Sequence, residues 1–298
     1  MTRWYQNAVI EGTAMPMSRR GDTSQERWTE ILAPLISPEG GGRLFVELGC
    51  NAGYYLRQAR DLGYRAIGVE RDPVFYEQAC YWEGQESKGV ELVCDDMLHY
   101  DTPANYLTLL ACVHYWLTAE QLKTLLAKLH HRSVNLVIMG KHRGEAAIPP
   151  DRRNLLPYLS GWKIAAQTRN RRHYGLLLHN PDLYEADVEQ IYNRDVLAVA
   201  ETGGHSDFFP AFSEFVRLVA GNQEFDYRST EFYRYLRRRK LRYRETLMEA
   251  YAGHVLSIRA GGIRRPIAVR QNGLVCDGNH RLVIAKELGI EKIICRKR

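Results

Sequence analysis

The apolar run Leu44-Phe45-Val46-Glu47-Leu48 passes straight into Gly49-Cys50-Asn51-Ala52-Gly53 and reopens as Tyr54-Tyr55-Leu56. A β-rich run that ends on closely spaced glycines before a helix predicts a strand–loop–helix unit, because glycine permits a sharp turn and a close approach of backbone to a ligand. The helix that follows presents unpaired N–H groups, which suit an anion such as a carboxylate. The spacing is Glu-x-Gly-x-x-x-Gly, which differs from the Gly-x-Gly-x-x-Gly of dinucleotide sites. A chain built on such a unit is committed to layered α/β architecture.

The downstream sequence keeps that commitment. Strands are predicted at Arg43–Leu48, Arg65–Glu70, Val90–Cys94, Tyr106–Val113, Asn135–Met139, Trp162–Thr168 and Tyr174–His179. Helices are predicted over Gly53–Leu62, Pro73–Gly84 and Thr118–His131. Only Arg169–His173 separates the last two strands. A parallel crossover takes about a dozen residues, so this pair is predicted to be an antiparallel hairpin. After Asn180-Pro181 the texture changes to charged, aromatic helix-like stretches, notably Glu214–Tyr251, and a compact β-turn-helix unit closes the chain. The 298 residues exceed what one core usually supports. Two domains are expected, 1–180 and 181–298.

Two further acidic positions fall in register with the glycine loop. Glu70 ends the second strand in Gly68-Val69-Glu70-Arg71-Asp72, and Asp95-Asp96-Met97 follows the third. Loop, acid and aspartate together resemble the cofactor motifs of class I S-adenosylmethionine (SAM) dependent methyltransferases. The resemblance covers about half the chain. It implies a seven-stranded Rossmann-like methyltransferase sheet within an α/β protein whose second, smaller domain is α+β. It also implies site roles: Glu47, Gly49, Asn51 and Gly53 shape the methionine pocket, Glu70 accepts the ribose hydroxyls, and Asp95, or Asp96 in its place, holds adenine. Upstream, Trp4-Tyr5 and Arg27-Trp28, in a segment with Arg19, Arg20 and Asp22, resemble the N-terminal lid of methyltransferases acting on small or tRNA-linked acceptors. The alternative is an aromatic-anchored arm with no role at the site.

The fourth strand runs into Ala111-Cys112-Val113-His114-Tyr115-Trp116-Leu117, the position that in this family faces the transferable methyl. His114 is the candidate general base, since an imidazole titrates close to neutral pH, and Tyr115 and Trp116 are candidate walls. A hydrogen-bonded loop histidine is the other reading. Lys141-His142-Arg143 after the fifth strand would bind an anionic acceptor or stand solvated. The Asp/Asn-Pro-Pro-aromatic tetrapeptide of exocyclic-amine DNA methylases is absent from the sequence, which disfavours that substrate class.

In the C-terminal half, Pro266–Val269, a turn at Gln271-Asn272-Gly273, then Leu274-Val275-Cys276 and Asp277-Gly278-Asn279-His280-Arg281 lead into an apolar helix to Leu288. A glycine turn with an imidazole and a guanidinium at a helix start suits phosphate. This segment closely resembles the ParB/sulfiredoxin-like fold. The resemblance implies that Asp277, Gly278, Asn279, His280 and Arg281 bind the phosphates of ATP or another nucleotide, and that Leu236–Tyr251 supplies the preceding helix. A kinase-like member would also need an acid; Glu201, Asp207 and Glu214 are candidates and no motif selects among them. The plainer reading is a tight turn in which Arg281 caps a structural ion pair. Arg234–Arg244 reads as a basic helix with interleaved tyrosine, either solvated or able to stack bases and meet phosphates.

The net charge of +6 is mild for this length and leaves nucleic acid open without arguing for it. Six cysteines form no CxxC pair, so structural thiols without a metal site are expected. No apolar run reaches the roughly 18–20 residues of a membrane span, and a cytoplasmic protein is expected. The favoured reading is SAM-dependent O-methylation of a small or phosphorylated acceptor, coupled to a nucleotide-binding domain. The alternative is a nucleic-acid-binding ParB-like protein whose methyltransferase domain acts on DNA or RNA or serves as a SAM-sensing module.

Overall fold

The computed structural model describes residues 4, 6, 8–15, 23–110, 118–141, 158–201, 207–221, 225–241 and 243–298. The chain forms two compact units, Met1–Pro181 and Asp182–Arg298. No helix among the described residues is long and apolar enough to cross a membrane.

The first unit opens with short strands β1 (Val9–Ile10) and β2 (Thr13–Ala14) and helix α1 (Ser24–Arg27). A π-helical turn, Trp28–Leu32, continues from α1. Then come β3 (Leu44–Leu48), α2 (Tyr54–Asp61), β4 (Arg65–Glu70), α3 (Pro73–Gln85), β5 (Val90–Cys94) and β6 (Ala104–Leu110). Helix α4 (Ala119–His130) and strands β7 (Ser133–Lys141), β8 (Lys163–Arg169) and β9 (His173–His179) complete it. The seven long strands form one sheet in the order β5-β4-β3-β6-β7-β9-β8. The first five run parallel, and β9 is antiparallel to both β7 and β8. The predicted terminal hairpin is therefore present.

Caps written in the sequence set the helix starts. Asp72 accepts the N–H of Val74 at 2.9 Å with Pro73 at the first helical position, and Thr118 forms a capping box with Gln121. The period-2 alternation of strands divides the core into two layers. Leu107, Leu109, Leu136 and Ile138 face the α4 stripe of Leu122, Leu125, Leu126 and Leu129. Phe45, Val137 and Met139 face the other way, toward Ile31, Leu32, Leu56 and Tyr64. Glu47 lies two residues along β3 from Phe45, so its carboxylate points into this second layer, an apolar setting for a charged group.

The second unit contains β10 (Leu183–Asp187), α5 (Val188–Glu201), α6 (Phe208–Ala220), α7 (Glu231–Arg238), α8 (Arg244–Gly261), β11 (Ile267–Val269), β12 (Val275–Asp277), α9 (Asn279–Glu287) and β13 (Lys292–Lys297). Its sheet runs β10-β13-β11-β12, with β11 parallel to β13 and the other pairs antiparallel. Aromatic side chains of α6 and α7 (Phe209, Phe212, Phe215 and Phe232) pack on Leu282–Ala285 of α9. Two expectations need correction here. The single helix expected over Leu236–Tyr251 is two helices. The basic stretch Arg234–Arg244 is not one helix either: it spans the end of α7, a turn, and the first residue of α8.

Candidate functional site

The glycine loop between β3 and α2 is shaped by three left-handed residues at alternate positions: Gly49 at φ +81°, Asn51 at +53° and Gly53 at +83°. Glycine takes this region without penalty, and asparagine is among the few side chains that tolerate it. The Asn51 Oδ1 accepts the N–H of Ala52 at 2.8 Å, fixing the turn from within. The N–H groups of Gly49 and Cys50 both donate to the Val69 carbonyl, at 2.8 and 3.1 Å, which ties the loop to the end of β4.

Glu70 fastens the same loop from its carboxylate. One oxygen accepts the N–H of Asn51 and the other that of Asp72, each at 2.8 Å. A carboxylate offers about four lone-pair directions, so two remain for the ribose hydroxyls that the resemblance assigns to it. Asp95 and Asp96 follow β5 as expected and do different things. Asp95 is exposed and bonds the His99 ring at 2.7 Å, which together with the Asp96 N–H holds its carboxyl below the usual range. Asp96 caps a 3-10 turn through the Leu98 N–H at 2.9 Å and pairs with Arg71 at 3.1 Å.

Glu47 is 1% exposed and its Oε2 has no hydrogen-bond partner. Burial pushes its carboxyl well above the usual range; the charge of Glu70 adds to this and that of Arg27 opposes it. An orphaned buried acceptor beside a glycine loop suits a ligand that brings its own cation, as the methionine ammonium of SAM does. A pH dependence follows. Near pH 4 both folded and unfolded Glu47 hold their proton; as pH rises the unfolded chain ionises first and the native state loses stability. Glu47→Gln is expected to be more stable than wild type at pH 7, with the difference vanishing toward pH 4. Urea denaturation at pH 4, 5.5 and 7 checks this, and a pH-independent difference would exclude Glu47 as the responsible group.

The loop has a further partner that the sequence did not flag. Helix α2 has no cap from its own N-cap residue, Gly53. Gln6, 4% exposed, instead accepts the Tyr54 N–H through Oε1 at 3.1 Å. Trp4 packs edge-on against Trp82 with ring centroids 6.1 Å apart, and the Tyr54 hydroxyl donates to Gln25 at 2.7 Å. Arg27 lies 5.7 Å from the Tyr55 ring centroid. The Trp4 and Arg27 segments thus both meet α2, although Tyr5, Arg19, Arg20 and Asp22 lie outside the described residues. So do His114, Tyr115, Trp116, His142, Arg143 and the Lys141 side chain.

In the second unit, Gly278 at φ +105° turns β12 into α9, as the turn residues predict. His280 is enclosed by Phe208, Phe212 and a stacked Tyr251, with centroids 5.1, 5.0 and 4.6 Å away. Burial, with the nearby charges of His254 and Arg281, lowers its pKa to about 4, so the ring is uncharged at neutral pH and any hydrogen bond it donates is that of a neutral imidazole. Arg281 donates to the carbonyls of Arg265 and Pro266 at 2.6 and 3.0 Å and to Asp277 at 3.2 Å, clipping the turn to the start of β11. Asn279 keeps a buried Oδ1 without a partner.

Comparison with known proteins agrees with the first unit. The family described as a methyltransferase domain matches residues 46–132, which hold the glycine loop, Glu70, Asp95 and Asp96. A search of curated proteins finds no match. Among solved structures, a Pyrococcus horikoshii OT3 protein is similar at a TM-score of 0.42 and 12% identity, covering 54% of this chain and 92% of that one. The N-methyltransferase NodS of Bradyrhizobium japonicum WM9, in complex with S-adenosyl-L-homocysteine, is similar at 0.40 and 16%, covering 47% and 79%. Magnesium protoporphyrin IX methyltransferase of Synechocystis PCC 6803, with bound SAM, is similar at 0.40 and 16%, covering 50% and 75%. The family match falls on the strand–loop–helix units that carry the cofactor motifs, so residues 46–132 of the N-terminal unit are similar to a methyltransferase domain.

Proposed function

We propose that the protein transfers the methyl group of SAM to an oxygen of a small or phosphorylated acceptor. The observation that carries the cofactor assignment is the Glu47–Glu70 arrangement: one buried acceptor without a partner, and one strand-end carboxylate with spare lone pairs, on either side of a left-handed loop. Gly49, Asn51 and Gly53 would admit the methionine moiety, Glu47 would meet its ammonium, Glu70 the ribose, and Asp95 or Asp96 the adenine. SAM supplies an electrophilic methyl on sulfonium. The chain's own task is to hold the acceptor in line and keep water out, with His114 the candidate base for a hydroxyl.

Calorimetry of SAM against the full chain tests the reading. Wild type is expected to bind, and Glu70→Gln to bind roughly ten- to a hundredfold more weakly, the effect of losing a charged hydrogen-bond acceptor. Absence of SAM binding to wild type overturns the proposal. Incubation with methyl-labelled SAM and a panel of phosphorylated and hydroxylated metabolites addresses the acceptor.

For the C-terminal unit we infer a ParB/sulfiredoxin-like fold, supported by the β11–turn–β12–Gly278–α9 order. Any nucleotide phosphate there would be held at the Asp277–Arg281 turn by the backbone N–H groups of Gly278 and Asn279, the Asn279 side chain and a His280 ring N–H, with Arg281 holding the turn's shape through the Arg265 and Pro266 carbonyls.

A further inference from the structure

We propose that the link between α7 and α8, at Arg239–Leu241 and Tyr243, is a docking site for single-stranded nucleic acid, with Tyr243 as a base-stacking platform and the exposed cations of Arg237–Lys240 as phosphate contacts. The inference concerns the second unit and stands apart from the methyltransferase reading.

The backbone of this turn is unusual. Helix α7 ends in a pair of reverse hydrogen bonds, Lys240 N–H to the Arg237 carbonyl at 3.0 Å and Leu241 N–H to the Leu236 carbonyl at 3.3 Å. This closing motif places its first residue beyond the cap in the left-handed region, where glycine is the usual occupant. Here it is Lys240, at φ +54°. Three residues on, Tyr243 is left-handed as well, at +56°, and stands as N-cap of α8 with no side-chain capping bond. Two left-handed side-chain-bearing residues so close together cost stability, and such outliers concentrate where a segment has a task other than folding.

What the strained turn displays is specific. Tyr243 is 79% exposed and has no ring partner among the described residues, while Leu241 is 41% exposed beside it. Arg237, Arg238, Arg239 and Lys240 are all exposed. Arg238 pairs with Asp207 and Arg234 with Glu231, but Arg237 and Lys240 meet no acid among the described residues. Arg234–Arg244 contains no acidic residue at all.

An exposed aromatic ring amid cations fits single strands, where bases stack on the ring and phosphates meet the guanidiniums. Duplex recognition through the major groove takes a continuous helix or a β-ribbon, and the stretch is broken at the point where it is most basic. An anionic membrane is the other partner for a basic turn. The cations here are mostly arginine, whose planar fork matches phosphate and stacks on bases, and the exposed apolar area amounts to Leu241 and one ring.

The test uses the full chain and fluorescence anisotropy with labelled oligouridylate and oligothymidylate of about 12 nucleotides, a duplex of equal length, and phosphatidylserine vesicles. Single strands are expected to bind more tightly than duplex, with the two oligomers reporting whether RNA or DNA is preferred. Tyr243→Ala is expected to weaken single-strand binding about five- to a hundredfold, and Tyr243→Phe to retain it. Arg237→Glu with Lys240→Glu should lower the slope of log affinity against log salt by about 1.4, two contacts at roughly 0.7 each. Tyr243→Gly separates docking from folding: relief of the left-handed strain should raise the melting temperature by roughly 4–8 °C while binding is lost. Equal affinity of wild type and Tyr243→Ala, tighter binding to duplex or vesicles than to single strands, or no binding to any probe overturns the proposal.

Discussion

Gly68→Ala is expected to cost the N-terminal unit about 3 kcal/mol and to weaken SAM binding more than Glu70→Gln does, through one added methyl. Gly68 lies in β4, paired with Glu47 on one side and Leu92 on the other, so the strand cannot slide. A Cβ there would stand 2.6 Å from the Cys50 Sγ and 3.2 Å from the Cys50 Cβ, with Leu56 Cδ1 nearer still. Leu56 and Cys50 are fully buried and have nowhere to turn. Cys50 belongs to the cofactor loop, so relief of the clash must come from displacement of that loop. The backbone of Gly68 is not left-handed, which makes the effect steric and not conformational. Adding Cys50→Ala to Gly68→Ala removes the nearest sulfur and is expected to restore about half of the lost stability. Thermal melts of the single and double variants decide it; a Gly68→Ala protein that melts within a degree of wild type excludes the packing argument.

Arg57→Leu is the second large loss, again about 3 kcal/mol. Arg57 is 4% exposed, donates to Glu83 at 3.0 Å and to the Glu86 carbonyl at 2.7 Å, and lies 4.6 Å from the Trp82 ring centroid. Removing one partner of a buried pair costs about 3–5 kcal/mol because the other charge is left in place. The lower end applies because Glu86 is partly exposed and Glu83 keeps the N–H groups of Lys88 and Gly89. Arg57→Lys should recover little, since an ammonium cannot both fork onto two acceptors and stack on indole. Urea denaturation followed by tryptophan fluorescence measures both variants. A loss under 1 kcal/mol for Arg57→Leu would mean the α2–α3 contact is held by apolar packing alone.

Much of the first unit was legible because its signals are local. Alternating Leu107, Leu109, Leu136 and Ile138 mark strands, Leu122, Leu125, Leu126 and Leu129 mark one face of a helix, and the short Arg169–His173 link dictates a hairpin. The loop, Glu70 and the two aspartates could be placed because each sits at a strand end. Gln6 could not, since its partner at Tyr54 lies 48 residues away and no periodicity links them. In the second unit, Leu183–Asp187 and Lys292–Lys297 carry too many charges to read as strands, and their pairing with each other, and of the latter with β11, makes them so. The aromatic enclosure of His280 was not legible either, because Phe208, Phe212 and Tyr251 come from distant helices. The break in Arg234–Arg244 has no glycine or proline to announce it.

The two backbone N–H groups gathered by the Glu70 carboxylate have a consequence for the proposed cofactor site. Asn51 and Asp72 belong to successive strand-to-helix loops, and one side chain immobilises both. Their ordering entropy is spent when the chain folds and is not charged again at encounter. On the proposed reading, association of SAM with these loops would need no prior search for a competent state, the kinetic signature of a lock already cut to its key.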